Sequence, residues 1–273
     1  MGWHYIQVGL DTCSHSLESS LRGGDLGCGI VYPAQVTLAC TGGVLVRLAD
    51  GSSAPALDQF VHDQFRSLVT ARAFTCLGAR VAINRKAYRF AMYDKLGAPA
   101  SADQLAHDLS AFIAEAPSLG ELTTFIACFR EPSLLDQRQF EALLWMKLQA
   151  LHDLDQLSWD PDVSSDPNDS RFAFSFGGRA FYIVGLHAGS SRWSRRFAWP
   201  TLVFNLMCQF EYLRATHRFG GFQRTIRARE LMLQGSIHPH LGESDARQYA
   251  GRVTDLGWRC PLHVRYSSKR MGD

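Results

Sequence analysis

Apolar and polar positions alternate with two distinct periods along this chain, and the two periods divide it into strands and helices. Leu57, Phe60, Val61, Phe65 and Leu68 recur at helical spacing, which predicts a helix after Pro55. Leu105, Leu109, Phe112 and Ile113 predict a second helix, with Ser101 as its cap and Pro117 at its end. Asp136–Asp153 holds Phe140, Leu143, Leu144, Lys147, Leu148 and Leu151 along one side and predicts a third. A long helical pattern covers Gln209–Leu233, interrupted at Gly220-Gly221.

Between these lie short runs rich in aromatic and β-branched residues. Val44–Leu48, Arg89–Tyr93, Leu122–Arg130 and Pro200–Asn205 each predict a strand. Phe172–Phe176 and Ala180–Leu186, separated by Gly177-Gly178, predict a hairpin. Cys76–Arg80 reads as a compact turn, and Asp160–Asp169 as a loop. Strand pairs and helices mix without regular β-α-β alternation. The expected fold is therefore α+β: a mostly antiparallel sheet with packed helices, in a single main domain. Residues 1–55, rich in glycine and serine, are expected to form an N-terminal extension with a loop over Ser19–Gly29. The main domain covers 56–266, and 267–273 form a solvated tail.

Composition narrows the function classes. Hydrophobic residues make up 46% of the 273 and charged residues 20%, which suits a globular chain with a substantial core. A net charge of +2 gives no field for nucleic acid or a membrane, so neither is expected as a partner. No run of about 18 apolar residues predicts a membrane span. Met1-Gly2-Trp3-His4 opens neither a signal peptide nor a myristoylation pattern, so a cytoplasmic protein is expected. The seven cysteines are scattered without a CxxC pair, which argues against a disulfide framework or structural zinc and for mostly buried thiols. The P-loop, the dinucleotide GxGxxG, the GxSxG elbow and HExxH do not occur. A homo-oligomer is left open.

The chemistry concentrates in Gly185–Phe197. An apolar strand delivers His187 to a Gly189-Ser190-Ser191 turn, followed by Arg192, Arg195 and Arg196 interleaved with Trp193, Phe197 and Trp199. Neutral imidazole offers a lone pair to a metal. Guanidinium forks bind carboxylates or phosphates in pairs of hydrogen bonds. A lone histidine beside an anion clamp fits haem, because the porphyrin supplies four of the iron's ligands and carries two carboxylates. His187 is then the metal ligand. Arg192, Arg196, Ser191 and Trp193 bind the cofactor, with small residues admitting its flat face. Two thiols compete for the iron: Cys76, and Cys260 in Trp258-Arg259-Cys260-Pro261-Leu262-His263. A structural His187 in a cofactor-free binding domain is the bland alternative. Asn205 reads as a helix cap. Glu211 is a candidate to hold a cationic substrate.

Cys76–Arg80, Tyr88-Arg89-Phe90, Phe125–Arg130, Phe172–Phe176, Gly185–Arg192, Arg195-Arg196-Phe197, Phe204-Asn205 and Trp258–Pro261 together resemble the YqcI/YcgG family over roughly 57–263. Where Pro-His is expected after Phe204-Asn205, this chain has Leu206-Met207. The resemblance implies a monooxygenase using haem b and O2. Its expected reaction is N-hydroxylation of L-arginine, or a related guanidine, to Nω-hydroxy-L-arginine in antibiotic (D-cycloserine) biosynthesis. Electrons are expected from an external donor, since no flavin or nicotinamide motif is present, and Glu211 is the catalytic candidate. A haem carrier or sensor without oxygenase activity is the competing expectation.

Overall fold

The computed structural model describes residues 37–240 and 245–265. The loop expected at Ser19–Gly29, Cys13, Cys28, the tail over 267–273 and the domain boundary at 266 lie outside these. Seven strands form one sheet: β1 (Leu38–Thr41), β2 (Val44–Arg47), β3 (Tyr88–Lys95), β4 (Thr124–Glu131), β5 (Phe174–Phe176), β6 (Arg179–Leu186) and β7 (Thr201–Leu206). Their order is β2-β1-β3-β4-β7-β6-β5. Only β3 and β4 pair in parallel; the other neighbours are antiparallel. This is the α+β fold expected.

Among the described residues, six α-helices accompany the sheet: α1 (Ala56–Thr70), α2 (Leu77–Asn84), α3 (Pro99–Leu119), α4 (Gln137–Leu154), α5 (Cys208–Ala215) and α6 (Phe219–Gln234). α3 supplies the crossover that a parallel pair needs. Because strand side chains alternate between faces, β4 sends Phe125, Ala127 and Phe129 to one side and Ile126 and Cys128 to the other. The first side is covered by α3 and α4 through Leu105, Leu109, Phe112, Phe140, Leu144 and Leu148. The second is covered by α1 and α2 through Val61, Phe65, Val69 and Ile83. Fully burying one such aromatic side chain contributes about 1.5–3 kcal/mol.

Several local expectations change. β1 and β2, inside the expected extension, pair with each other, β1 also pairs with β3, and they place Leu38 and Leu45 in the second core. The Cys76 turn continues as α2, with the Cys76 Sγ accepting the Ala79 amide at 3.4 Å. α3 starts one turn before Ser101 because Pro99 is pre-organised for the first helical position. The Ser101 hydroxyl instead donates to the carbonyls of Lys95 and Ala98, and Pro117 sits inside the last turn. On α1, Leu57 and Phe60 stay exposed while Val61, Phe65 and Val69 turn inward. Asn205 belongs to β7, where its amide donates to the Tyr182 carbonyl. The break between α5 and α6 falls at His217, which has φ 57°, and the two glycines lie inside α6. α6 contributes no buried residue to either core. No disulfide forms among the described cysteines; Cys40 and Cys128 are buried, whereas Cys208 is exposed.

Candidate functional site

His187 lies one residue beyond β6, in phase with Phe181 and Ile183, so it faces the α3/α4 core. Its ring stacks on Phe140 with centroids 4.4 Å apart and planes 16° from parallel. Gly185 makes this approach possible: a Cβ there would lie 2.6 Å from the Phe140 ring and 2.8 Å from the Tyr249 carbonyl oxygen. The strand then turns back on itself. The His187 amide donates to the Arg195 carbonyl, and the Ser190 and Phe197 amides donate to the His187 carbonyl.

The imidazole is 1% exposed, and neither ring nitrogen has a hydrogen-bond partner of ordinary geometry. Burial lowers its pKa, against smaller opposing pulls from the Leu135 carbonyl and Asp136. The ring is therefore neutral and keeps an uncommitted lone pair. Gly189 does not open a cofactor face as the sequence suggested. A Cβ there would lie 2.4 Å from the Leu135 carbonyl oxygen, so the small residue serves tight backbone packing.

The loop gathers Ser191, Arg192, Trp193 and Arg196 beside His187, but their roles differ from expectation. Arg192 is buried and ion-paired to Glu230 of α6, and it also donates to the Ser236 hydroxyl at 3.2 Å and carbonyl at 2.8 Å. Its fork is spent inside the protein and is not a free clamp. Arg196 lies 3.9 Å over the Trp193 ring and donates to the Ser190 carbonyl at 2.7 Å. Arg195 reaches the Gly185 carbonyl at 3.2 Å. Neither Arg195 nor Arg196 meets a carboxylate among the described residues. The Ser191 hydroxyl donates to the Gln137 side chain, and the Trp193 amide to that of Gln234.

Glu211 falls outside this cluster. α5 buries Gln209 and Leu213, four residues apart on one face. Glu211, midway between them, points to solvent and pairs with Arg214. An exposed, paired carboxylate cannot hold a buried cation, so the catalytic expectation for Glu211 is not met. The two thiols are separated as well. Cys76 caps α2, its pKa raised by burial and eased down by Ala79 and Arg195. Cys260 packs against the α3/α4 core, and burial pushes its thiol up to about 12.

A second region was missed by sequence reasoning. A groove of about 460 Å3 runs between α4 and the segment 252–263. Trp145 and Trp258 wall it, ring centroids 6.1 Å apart, and Arg138, Arg252 and Arg259 line it. Glu141 is buried at its edge, paired to Arg252 and accepting the Trp258 indole N–H at 2.9 Å. The available signal was the carboxylate itself, set next to Phe140 at the edge of a mainly apolar helical stripe. Among the described residues, no group of three or more histidine, cysteine or acidic side chains is arranged to hold a metal. No helix there is long and apolar enough to cross a membrane.

Fold and site thus define a three-layer α+β protein with one sealed, unsatisfied imidazole and one arginine-lined aromatic groove. The chain belongs to the YqcI/YcgG family, whose model matches residues 65–263. It is 28% identical over 193 residues to YqcI of Bacillus subtilis (strain 168), covering 68% of this chain and 74% of that protein. It is 28% identical over 179 residues to YcgG of the same organism, covering 63% and 71%. Both relatives are described as uncharacterized proteins. No solved structure matches.

Proposed function

We propose that this chain is a haem-dependent monooxygenase that N-hydroxylates the guanidino group of L-arginine to Nω-hydroxy-L-arginine, in D-cycloserine biosynthesis. The reaction comes from the family resemblance. The observation that carries the cofactor is His187, a buried imidazole whose two nitrogens have no hydrogen-bond partner of ordinary geometry. A buried polar group left unpaired costs free energy, which a bound partner relieves. An uncommitted imidazole nitrogen would suit haem iron as the protein's ligand. The clamp fits in altered form: Arg195 and Arg196 are available for the propionates, and Arg192 is not.

Bound haem b supplies reductive activation of O2, with two electrons from an external donor and one oxygen leaving as water. The protein's part is positional. Phe140 fixes the plane of the imidazole, and its low pKa keeps the lone pair free at neutral pH. The apolar α3/α4 core excludes water from that side. Since the ring is 1% exposed, cofactor loading requires the 188–196 loop to yield.

Purified full-length protein and His187→Ala should be compared by absorption spectrum and by arginine turnover with a reducing system. The expected result is a Soret band and Nω-hydroxyarginine from the parent, with both lost in the variant. An unchanged Soret band in His187→Ala overturns the ligand assignment and directs attention to Cys76→Ser and Cys260→Ser. A haem-replete parent that hydroxylates no guanidine identifies a carrier or sensor instead.

A further inference from the structure

We propose that the face built by α6 and α2 docks an acidic one-electron carrier protein, which serves as the external donor. The partner's redox role rests on the oxygenase reading above; the place and sign of the face rest on charge. Between Asp63 and Asp94, and again between Glu211 and Glu230, the chain carries eleven lysines and arginines and no carboxylate side chain. Those two segments contain α2 and all but the last turn of α6, and the two helices pack together. The Arg229 guanidinium donates to the Phe74 carbonyl at 3.2 Å, two residues from Arg72. A chain of net charge +2 thus concentrates its cations around one helix pair.

Arg72, Arg224 and Arg227 are exposed and have no carboxylate partner among the described residues. Arg224, Arg227, Ala228 and Leu231 follow at i, i+3, i+4 and i+7, so they share one stripe of α6. Glu230, the only carboxylate of that helix, is held by Arg192. The stripe ends in apolar surface, where Leu231 and Met232 are both exposed. Trp193 stands beside it, 53% exposed, since its amide donates to the Gln234 side chain in the last turn at 2.8 Å. Arginines around exposed methionine and tryptophan match the composition of protein interfaces.

Location chooses among acidic partners. The face borders the 188–196 loop beside His187, joined to it through Arg192 and Glu230. A carrier docked there sits next to the segment that holds the proposed iron ligand. An extended polyanion or a lipid surface draws on the field of the whole chain, and +2 supplies little. A compact acidic protein needs only local complementarity. Each reduced carrier gives one electron to ferric haem iron and is itself oxidised. Two such deliveries, with two protons from water, leave one oxygen of O2 on the guanidino nitrogen and release the other as water.

The test measures binding of full-length protein to an acidic two-iron ferredoxin and to an acidic flavodoxin, by isothermal calorimetry at low and high salt. The parent is compared with Arg224→Glu/Arg227→Glu and with Arg138→Glu/Arg259→Glu, a charge-matched pair at the α4 groove. All four side chains are exposed, and far-UV circular dichroism checks the fold. One carrier should bind the parent. The α6 pair should weaken it by about tenfold or more, equivalent to about 1.4 kcal/mol, and the groove pair should leave it unchanged. High salt should weaken the parent's binding in the same direction. In haem-loaded protein the α6 pair should slow haem reduction by the carrier and leave reduction by dithionite unchanged. The docking face is overturned if neither carrier binds the parent, if the α6 pair binds as the parent does, or if both pairs weaken binding equally. Phosphatidylglycerol vesicles bound in place of either carrier, and lost in the α6 pair, assign the face to a lipid surface and overturn it too. A protein that holds no haem sinks the oxygenase reading alone, because the calorimetry needs no haem and still decides the face.

Discussion

His62 and His238 illustrate how burial sets chemistry one residue at a time. Both are buried, and burial lowers each to about 4. His62 faces the Tyr88 hydroxyl at 2.7 Å and Asp63 at 3.2 Å, with Arg66 lowering its pKa further. His238 faces Arg192, Arg195 and His240, all of which disfavour its charge. An unfolded histidine titrates near 6.5. Between about pH 6.5 and 4 the unfolded chain therefore binds more protons, and stability falls as pH is lowered through that window. Asp245 opposes this from about 6 downward, because burial raises its carboxyl and the folded state takes up its proton first. Removing one histidine isolates its share: His62→Gln should flatten the loss between pH 6.5 and 4 by up to about 1.4 kcal/mol per pH unit. Denaturant titrations of both proteins at pH 7 and pH 5 measure this, and identical slopes would refute it.

At the scale of elements, the seat of α4 on β6 depends on Gly185. Gly185→Ala should force the Phe140 ring aside and cost about 1–3 kcal/mol. Thermal unfolding reads the loss, and a near-parent melting temperature would show that the contact relaxes freely. Elements with a strong local period were legible in the sequence. The α4 stripe, the β4 run and the Gly177-Gly178 hairpin all stand where expected. Those two glycines have φ of 63° and 70°, the conformation a two-residue hairpin turn demands. What was not legible depends on distant partners. Nothing near Leu38 announces its pairing with Phe90. Likewise, nothing near Arg192 announces that Glu230, on another helix, absorbs its charge. His187 was legible as a buried strand-end histidine because the strand's alternation fixes its face. The groove was not, since α4 and the 252–263 segment meet only in the folded molecule.

For the molecule as a whole, the sheet separates two cores, and α6 lies outside both. Its side-chain attachments are mostly polar: Arg192 to Glu230, Gln234 to the Ser191–Trp193 backbone, and Arg229 to the Phe74 carbonyl at 3.2 Å, beside the Arg214 guanidinium over the Phe219 ring. The Gln234 and Arg229 contacts are worth little once solvent competes for them, so the buried Arg192–Glu230 pair is the main polar anchor of α6. Stability should therefore be unevenly distributed through the chain. Amide hydrogen exchange should find α6 opening at far lower free energy than α4, with about neutral response to core mutations such as Gly185→Ala. Equal protection of the two helices would contradict this. Because Glu230 departs with the helix, each opening strips Arg192 of its counter-charge while both cores stay folded. Low-energy opening of α6 in that experiment would mean that the loop beside His187 passes between two electrostatic environments without global unfolding, since buried Arg192 stays behind when Glu230 leaves.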